Sequence, residues 1–171
     1  MTAKGHILLA LPFAIAGANV FELKDLEMIG FIGAVTVGAL FPDIDEPGSF
    51  IGRKLWFFAW PIKILGKFIP MLRHRAATHY LVIPIMLMFI STLTNNLSIG
   101  AFALGWFAHT VGDMLTVSGI KGYLYPLLPN TRIRLLPEHV AMKTGGFYEQ
   151  LVIVGLTVLN VFLYSSILPG V

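Results

Sequence analysis

Apolar residues fall into five long runs along this chain, separated by segments that carry nearly all of the charges. Uncharged runs of this length predict helices, and a membrane-spanning helix needs roughly 20 mainly apolar residues, with about 17 as the lower limit. We therefore predict an all-α, polytopic membrane helical bundle of about four to five helices, forming one domain over residues 1–171. The first two runs reach the lower limit of about 17 residues only when their flanking residues are counted. The runs are Ile7–Phe21, Met28–Phe41, Tyr80–Leu93, Leu97–Leu115 and Leu151–Leu168.

The composition narrows the class to membrane proteins. Of the 171 residues, 56% are hydrophobic and only 12% are charged, and the mean hydropathy is +0.79. Soluble domains carry about 25% charged residues. The lack of cysteine excludes disulfides, thiolate metal ligands and a cysteine nucleophile. Between the runs we predict polar linkers at Glu22–Glu27, Asp43–Thr78, Thr94–Asn96 and Thr116–Tyr148.

The basic residues lie almost entirely on one side of a bundle whose five segments alternate in direction. Lys24 is the exception, and it shares its linker with Glu22, Asp25 and Glu27. Because short loops rich in Lys and Arg tend to stay in the cytoplasm, we predict a multi-pass membrane protein whose basic linkers, and any site formed among them, face the cytoplasm. The residues on that side are Lys4, Arg53, Lys54, Lys63, Lys67, Arg73, Arg75, Lys121, Arg132, Arg134 and Lys143.

The N-terminal run has an alternative interpretation. Lys4, the apolar stretch after it and the small residues at positions 14, 16 and 18 resemble a secretory signal peptide. Pro12 within the run and the further apolar run at Met28–Phe41 favour a retained signal-anchor helix instead.

Ionisable side chains gather at alternate ends of the runs, which brings them to one end of the predicted bundle. Histidine and carboxylate groups are metal ligands, and ionisable groups inside a membrane protein are costly unless they are paired or coordinated. We therefore predict a metal site at one membrane face. His139 has no partner at a useful spacing and is left out. The clusters are His6, Asp43 with Asp45, His74 with His79, His109 with Asp113, and Glu149.

The strongest single motif is His109-Thr-Val-Gly-Asp113, near the end of a predicted helix. Residues four apart share one helical face, with their Cβ atoms about 5–6 Å apart, so the imidazole and the carboxylate can hold one ion. The alternative is a hydrogen-bonded His–Asp pair that joins two helices. His6 and Glu149 are weaker candidates, because each is a lone polar residue at a helix start.

The second motif is the acidic pair that follows the second run. In an extended segment Asp43 and Asp45 would point the same way, as two ligands or as one ligand and its outer partner. The alternative is a solvated turn, because Pro, Gly and Ser surround the pair.

The third motif precedes the third run. His74 and His79 are five residues apart and so do not share a helical face, and we expect His79 to bind the ion while His74 acts as proton donor or outer ligand. Arg73 and Arg75 beside them carry guanidinium groups suited to phosphate. The alternative is a plain basic flank, which explains the arginines but not the histidines.

Together these motifs resemble a known family. In order and spacing over roughly residues 5–150, they look like the YdjM family of predicted membrane-bound metal-dependent hydrolases. This resemblance implies an inner-membrane location. The family is in turn distantly similar to the all-helical fold of zinc-dependent phospholipase C and P1 nuclease. The blocks are Gly38-Ala-Leu-Phe-Pro-Asp43-Ile-Asp45-Glu-Pro-Gly-Ser49, His74-Arg75-Ala-Ala-Thr78-His79 and Gly105-Trp-Phe-Ala-His109-Thr-Val-Gly-Asp113-Met-Leu-Thr116, with His6 ahead of them.

The resemblance implies a ligand set. Asp113 would bridge two ions, and His6 would complete a further metal position. The zinc phospholipases also use a free N-terminal Trp and a late H-x-x-x-E pair, whereas this chain begins MTAKGH and its stretch 145–149 has no histidine. We expect one or two Zn²⁺ ions, and Mn²⁺ or Fe²⁺ also suits these donors. The implied metal ligands are His6, Asp43, Asp45, His79, His109 and Asp113.

The predicted activity is hydrolysis of a phosphoester by a metal-activated water. We assign catalytic roles to Asp45, His74 and Arg75, with Arg132 or Arg134 as further phosphate contacts. The expected partners are membrane lipids, and the expected substrate is a phospholipid or a lipid-linked phosphate. Rival interpretations are a metal or proton transporter, whose polar groups should lie near mid-span, and a non-catalytic structural membrane protein. Nucleic acid ranks last as a substrate, because topology already explains the basic linkers.

Overall fold

The computed structural model describes residues 1–72 and 74–167, and most of these are helical. All five apolar runs form helices, which confirms the all-α membrane bundle, although Leu168 lies outside the described residues. The helices are α1 (Ala3–Val20), α2 (Asp25–Leu40), α3 (Phe50–Lys54), α4 (Trp56–Leu65), α5 (Val82–Thr94), α6 (Leu97–Met114) and α7 (Phe147–Ile167). The antiparallel strands β1 (Ile120–Lys121) and β2 (Arg132–Ile133) complete the fold.

Local capping explains several of these bounds. The side chains of Thr2, Ser49 and Asn96 accept hydrogen bonds from the first backbone amides of α1, α3 and α6, which satisfies donors that have no partner within the helix. Asn95 ends α5 with φ at 49°, a left-handed conformation that Asn tolerates. The two asparagines therefore join α5 to α6 through a tight connection.

Helix α6 lies at the centre of the bundle and packs against α1, α2 and α5. Glycine permits its close approach to α2: a Cβ on Gly105 would lie 1.9 Å from the Val35 carbonyl oxygen, and one on Gly38 would lie 2.0 Å from the Phe102 carbonyl oxygen. Small residues allow membrane helices to pack backbone against backbone in this way. The contact brings the end of α2, and Asp43 beyond it, to α6.

The helices differ in whether they can cross a membrane. Within the described residues, three segments are long and apolar enough to do so: Ala3–Val20, Asp25–Asp45 and Phe147–Ser165. Helices α4 and α5 are apolar but shorter. Exposed apolar side chains along α5 and α7, including Phe89 and Phe162, suit contact with lipid. The number of passes stays a prediction.

The prediction of a polar linker over 43–78 is wrong. This segment contains the short helix α3 and the apolar helix α4. Helix α4 exposes Trp56, Phe57, Phe58 and Trp60. Ten residues of helix extend about 15 Å, roughly half of the hydrocarbon thickness of a bilayer. Pro61 and Lys63 interrupt this stretch in the sequence and conceal its apolar character.

Candidate metal centre

Four ionisable side chains converge at one end of the bundle, and we call them the His/Asp cluster: Asp43, His79, His109 and Asp113. Asp43 lies in a short 3-10 turn after α2, His79 ends a second such turn before α5, and the other two are on α6. One ligand atom from each residue lies within 4.8 Å of the others. Asp43 is 20% exposed and the other three are buried. The cluster is therefore enclosed except at Asp43.

The donor atoms have separations typical of ligands around one ion. The Nε2 atoms of His79 and His109 are 3.2 Å apart. The Nε2 atom of His79 lies 3.3 Å from Asp113 Oδ2, and that of His109 lies 3.6 Å from Asp43 Oδ1. The separations from His79 to Asp43 and from His109 to Asp113 are 3.9 and 3.8 Å, and all six pairs lie within 4.8 Å. Tetrahedral ligands about 2.1 Å from an ion lie about 3.4 Å from one another.

The partners of the other ring nitrogens fix the tautomer of both imidazoles in their neutral form, in which one nitrogen carries the proton and the other the lone pair. His109 Nδ1 is 2.7 Å from the Ala39 carbonyl oxygen, which can only accept, so Nδ1 donates and Nε2 carries a lone pair. Thr78 donates its hydroxyl proton to Asp45 at 2.7 Å, so its oxygen accepts from His79 Nδ1 at 2.9 Å. Two lone pairs thus face each other across 3.2 Å, an arrangement that a cation between them stabilises.

Asp113 supports the same conclusion. Its Oδ1 accepts from the Met1 ammonium at 2.8 Å and from Arg75 Nη2 at 2.9 Å. Its Oδ2 is buried without a hydrogen-bond partner among the described residues, although it faces His79. A buried carboxylate oxygen without a partner is costly. A divalent cation within the His/Asp cluster would satisfy it, so these residues fit a metal ion.

The Thr78 hydroxyl gives a test of how the cluster is held. We expect Thr78→Val to weaken metal binding about 10- to 100-fold, as loss of an outer partner of a ligating histidine does. The measurement is competition with a chelating dye. Thr92→Val is the matched control, because the exposed Thr92 hydroxyl donates to the Phe89 carbonyl of its own helix. Equal affinity in both variants would contradict this role of Thr78.

His6 lies beside the His/Asp cluster and outside it. Its ring stacks on that of His109, with centroids 3.7 Å apart, and it is 1% exposed. Neither of its buried ring nitrogens has a hydrogen-bond partner within the described part of the chain, and Nε2 is 3.5 Å from Asp113 Oδ1. The two oxygens of Asp113 therefore face two neighbouring positions, one at the His/Asp cluster and one at His6.

Asp45 is directed away from Asp43. The prediction of an extended segment is wrong, because Phe41–Asp45 forms a 3-10 turn. Such a turn has about three residues per turn, so side chains two apart diverge. The Asp45 carboxylate bonds to Thr78 and to His74 Nδ1, each at 2.7 Å. Asp45 thus acts on the His/Asp cluster through Thr78. It is not one of the four candidate metal ligands.

His74 lies at the edge of the site. It is 36% exposed, and its ring centroid is 5.7 Å from that of His79. Burial alone would lower the pKa of His74, but the hydrogen bond and charge of Asp45 outweigh it and raise that pKa above its ordinary value. The imidazolium form, which can donate a proton, is therefore favoured here.

Of the arginines predicted to contact phosphate, Arg75 contacts a residue of the His/Asp cluster and Arg134 contacts other parts of the chain. Arg75, with φ at +61°, reaches Asp113 through Nη2 and the Ser118 hydroxyl and Gly119 carbonyl through Nη1. It neutralises Asp113 and ties the following loop to the site. Arg134 bonds to the Val117 carbonyl and pairs with Glu138, and neither contact involves the His/Asp cluster. Arg73 lies outside the described residues.

Glu149 holds the start of α1 in place. Its Oε1 accepts from the backbone nitrogen and hydroxyl of Thr2 at 2.6 and 2.7 Å, and its Oε2 accepts from Gly145. The carboxylate is buried and joins α7 to α1. Glu149 therefore positions the segment that carries His6 and is not grouped with the candidate ligands.

Sequence reasoning missed the residues that orient the ligands. Sequence patterns assign no role to Thr78, to Trp106 or to the backbone carbonyl of Ala39. Trp106 Nε1 donates to the Thr78 carbonyl at 2.7 Å, which fixes the segment carrying His79. A Trp three residues before a candidate ligand was the available signal, because a buried indole N–H needs an acceptor.

Fold and site together define a membrane-embedded helical protein with a buried group of histidines and aspartates suited to a metal ion. The family model described as "YdjM inner membrane protein" matches residues 1–167. The chain belongs to this family, which confirms the resemblance carried by its motifs.

Related proteins are similar in sequence to this chain over nearly its whole length. It is 34% identical to the uncharacterized protein YvsG of Bacillus subtilis (strain 168), covering 99% of this chain and 98% of that protein. It is 30% identical to inner membrane protein YdjM of Escherichia coli (strain K12) and of Shigella flexneri, covering 98% of this chain and 85% of each. No solved structure matches significantly. The similarity to the phospholipase C fold stays a prediction.

Proposed function

We propose that this protein is a membrane-bound, metal-dependent hydrolase of lipid phosphoesters. The observation that carries the proposal is the close approach of the His79 and His109 Nε2 atoms, 3.2 Å apart, to each other and to Asp113 Oδ2, which has no hydrogen-bond partner among the described residues. A divalent ion held there, with zinc preferred, would polarise a phosphoryl oxygen and lower the pKa of a bound water toward about 7.

The exposed side of the His/Asp cluster provides access for a substrate. Asp43 lines a cleft of about 390 Å³ between the start of α1 and the segment leading into α3. The three remaining residues of the cluster are buried, so a substrate would approach from the Asp43 side. The cleft lies at the end of the candidate spans Ala3–Val20 and Asp25–Asp45, which is the level of lipid headgroups. The one-sided distribution of Lys and Arg supports the cytoplasmic face.

We assign the proton donor to His74. It is partly exposed beside His79, and Asp45 holds its Nδ1, an arrangement that suits protonation of a leaving-group oxygen. Arg75 bonds to Asp113 and to the Gly119 carbonyl, which keeps the loop at Gly119 in place.

His74→Gln tests this role. We expect kcat to fall about 100-fold or more, as for the loss of a general acid, with metal content unchanged. His139→Gln is the matched control, because His139 is exposed and belongs to none of the site motifs. Loss of metal together with activity would show that His74 has a different role.

The proposal is tested on protein purified without chelator and reconstituted in liposomes that contain phosphatidic acid and phosphatidylglycerol. We expect release of phosphate or of headgroup that a chelator stops and Zn²⁺ restores. Bound metal with zinc flux across the liposomes and no hydrolysis would instead indicate a transporter. Folded protein without metal or hydrolysis would indicate a structural role.

A further inference from the structure

The cleft beside Asp43 carries two cations that the His/Asp cluster does not use. Lys4, at the start of α1, and Arg53, on α3, both line it and both are exposed. Arg53 donates to a neutral acceptor, the Gly48 carbonyl, at 3.3 Å. Across residues 1–72 and 74–167, neither cation forms an ion pair with a carboxylate. Their positive charge is thus available to an anion in the cleft.

An apolar groove continues from the same cleft. It has a volume of about 340 Å³ and is lined by Ala3, Lys4, Ile7, Leu8 and Phe50. Ala3, Lys4 and Phe50 line both the cleft and the groove. Since α1 is a candidate membrane span, the groove extends along a helix that would lie in the hydrocarbon region. The cleft that carries the cations and the apolar groove therefore meet at Lys4 and Phe50.

We propose that cleft and groove together bind one lipid phosphate. The anionic headgroup lies between Lys4 and Arg53, within reach of the metal centre beyond Asp43, and one acyl chain lies along Ile7, Leu8 and Phe50. Paired cations bind phosphate through charge-assisted hydrogen bonds, and the groove buries apolar surface of the chain. The substrate class rests on the proposed function, but binding itself requires no turnover.

A second apolar groove has different surroundings. It also measures about 340 Å³, lies between α5 and α6 and is lined by apolar residues that include Ile85. No Lys or Arg lines it, and it shares no residue with the cleft. It therefore offers volume and apolar surface without the headgroup site, which makes Ile85 the matched control for Ile7.

The test uses the full chain in phosphatidylcholine nanodiscs, with chelator present to prevent hydrolysis. The probe is phosphatidic acid that carries a photoreactive diazirine in the middle of one acyl chain, and mass spectrometry locates the adducts. Compared with phosphatidylcholine carrying the same diazirine, we expect adducts enriched about tenfold at Ile7, Leu8 and Phe50, a preference typical of charge-assisted recognition. Adducts spread evenly over α5 and α7 would overturn the proposal.

Variants separate the headgroup site from the groove. Lys4→Gln combined with Arg53→Gln should reduce labelling to the phosphatidylcholine level, whereas Lys54→Gln, next to Arg53 but outside the cleft, should not. Ile7→Trp fills the groove and should remove the enrichment, while Ile85→Trp should preserve it. Thermal stability is measured for each variant. Unchanged labelling in folded Ile7→Trp would overturn the acyl-chain site.

Two further outcomes distinguish the ligand and the reaction. Competition by inorganic phosphate as strong as by unlabelled phosphatidic acid would show that the headgroup alone binds, and would overturn the groove. Specific labelling without hydrolysis by the zinc-loaded protein would overturn the proposed function and retain this site. Hydrolysis together with evenly distributed adducts would overturn this binding site and retain the proposed function.

Discussion

Asp113→Asn is expected to abolish metal binding and hydrolysis together. Oδ2 of Asp113 faces His79 and His109, and Oδ1 binds Met1 and Arg75. The amide removes the negative charge and one of the two oxygens while keeping the size of the side chain. Loss of an outer partner costs up to about 100-fold in affinity, so loss of this ligand should cost more. Elemental analysis and phosphate release measure the two effects.

The control for this variant is Asp25→Asn, in an exposed acid at the start of α2 and at the opposite end of the helix from Asp43. It should retain both properties. Because Asn leaves the Arg75 guanidinium without its carboxylate, thermal stability is measured as well. Asp43→Asn, at the 20% exposed member of the cluster, gives a second variant with less effect on folding. Full activity in folded Asp113→Asn would contradict the scheme.

Gly38→Ala is expected to disrupt the site from a distance. A Cβ at this position would lie 2.0 Å from the Phe102 carbonyl oxygen, so α2 must move away from α6. The displacement should cost about 1–3 kcal/mol of stability, as overpacking does. It should also weaken metal binding, because α2 carries Asp43 and α6 carries His109. Thermal unfolding and dye competition measure the two effects.

Gly33→Ala, on the same helix, is the matched control. Nothing lies within 4 Å of a Cβ at Gly33, and alanine in a helix interior gains about 0.5–1 kcal/mol over glycine. This variant should keep or raise stability and leave metal binding unchanged. Identical behaviour of the two variants would show that the close contact between α2 and α6 is not as the structure has it.

Hydrophobic runs and residue spacing predicted the features that are determined within one segment of the chain, namely the individual helices and the residue pairs on one helical face. Five apolar runs gave five helices, because length and hydropathy determine whether a segment can be buried in lipid. His109 and Asp113 share one face of α6, because residues four apart on any helix do so.

Features that depend on contacts between segments were not predictable in this way. The 3-10 turn that separates Asp45 from Asp43 forms where α2 ends against Pro42, and an extended segment suited the same residues. The role of Thr78 requires knowing that Asp45 and His79 lie on either side of it. Lys4 and Arg53 are 49 positions apart in sequence and line the same cleft only in the folded chain.

The central claim is that Asp43, His79, His109 and Asp113 hold a metal ion. Anomalous diffraction from crystals of protein purified without chelator tests it most directly, after a fluorescence scan identifies the element. We predict one strong peak about 2.0–2.2 Å from both Nε2 atoms and from Asp113 Oδ2. The same side-chain positions without a peak would contradict the claim and leave the cluster as a hydrogen-bonded staple between helices.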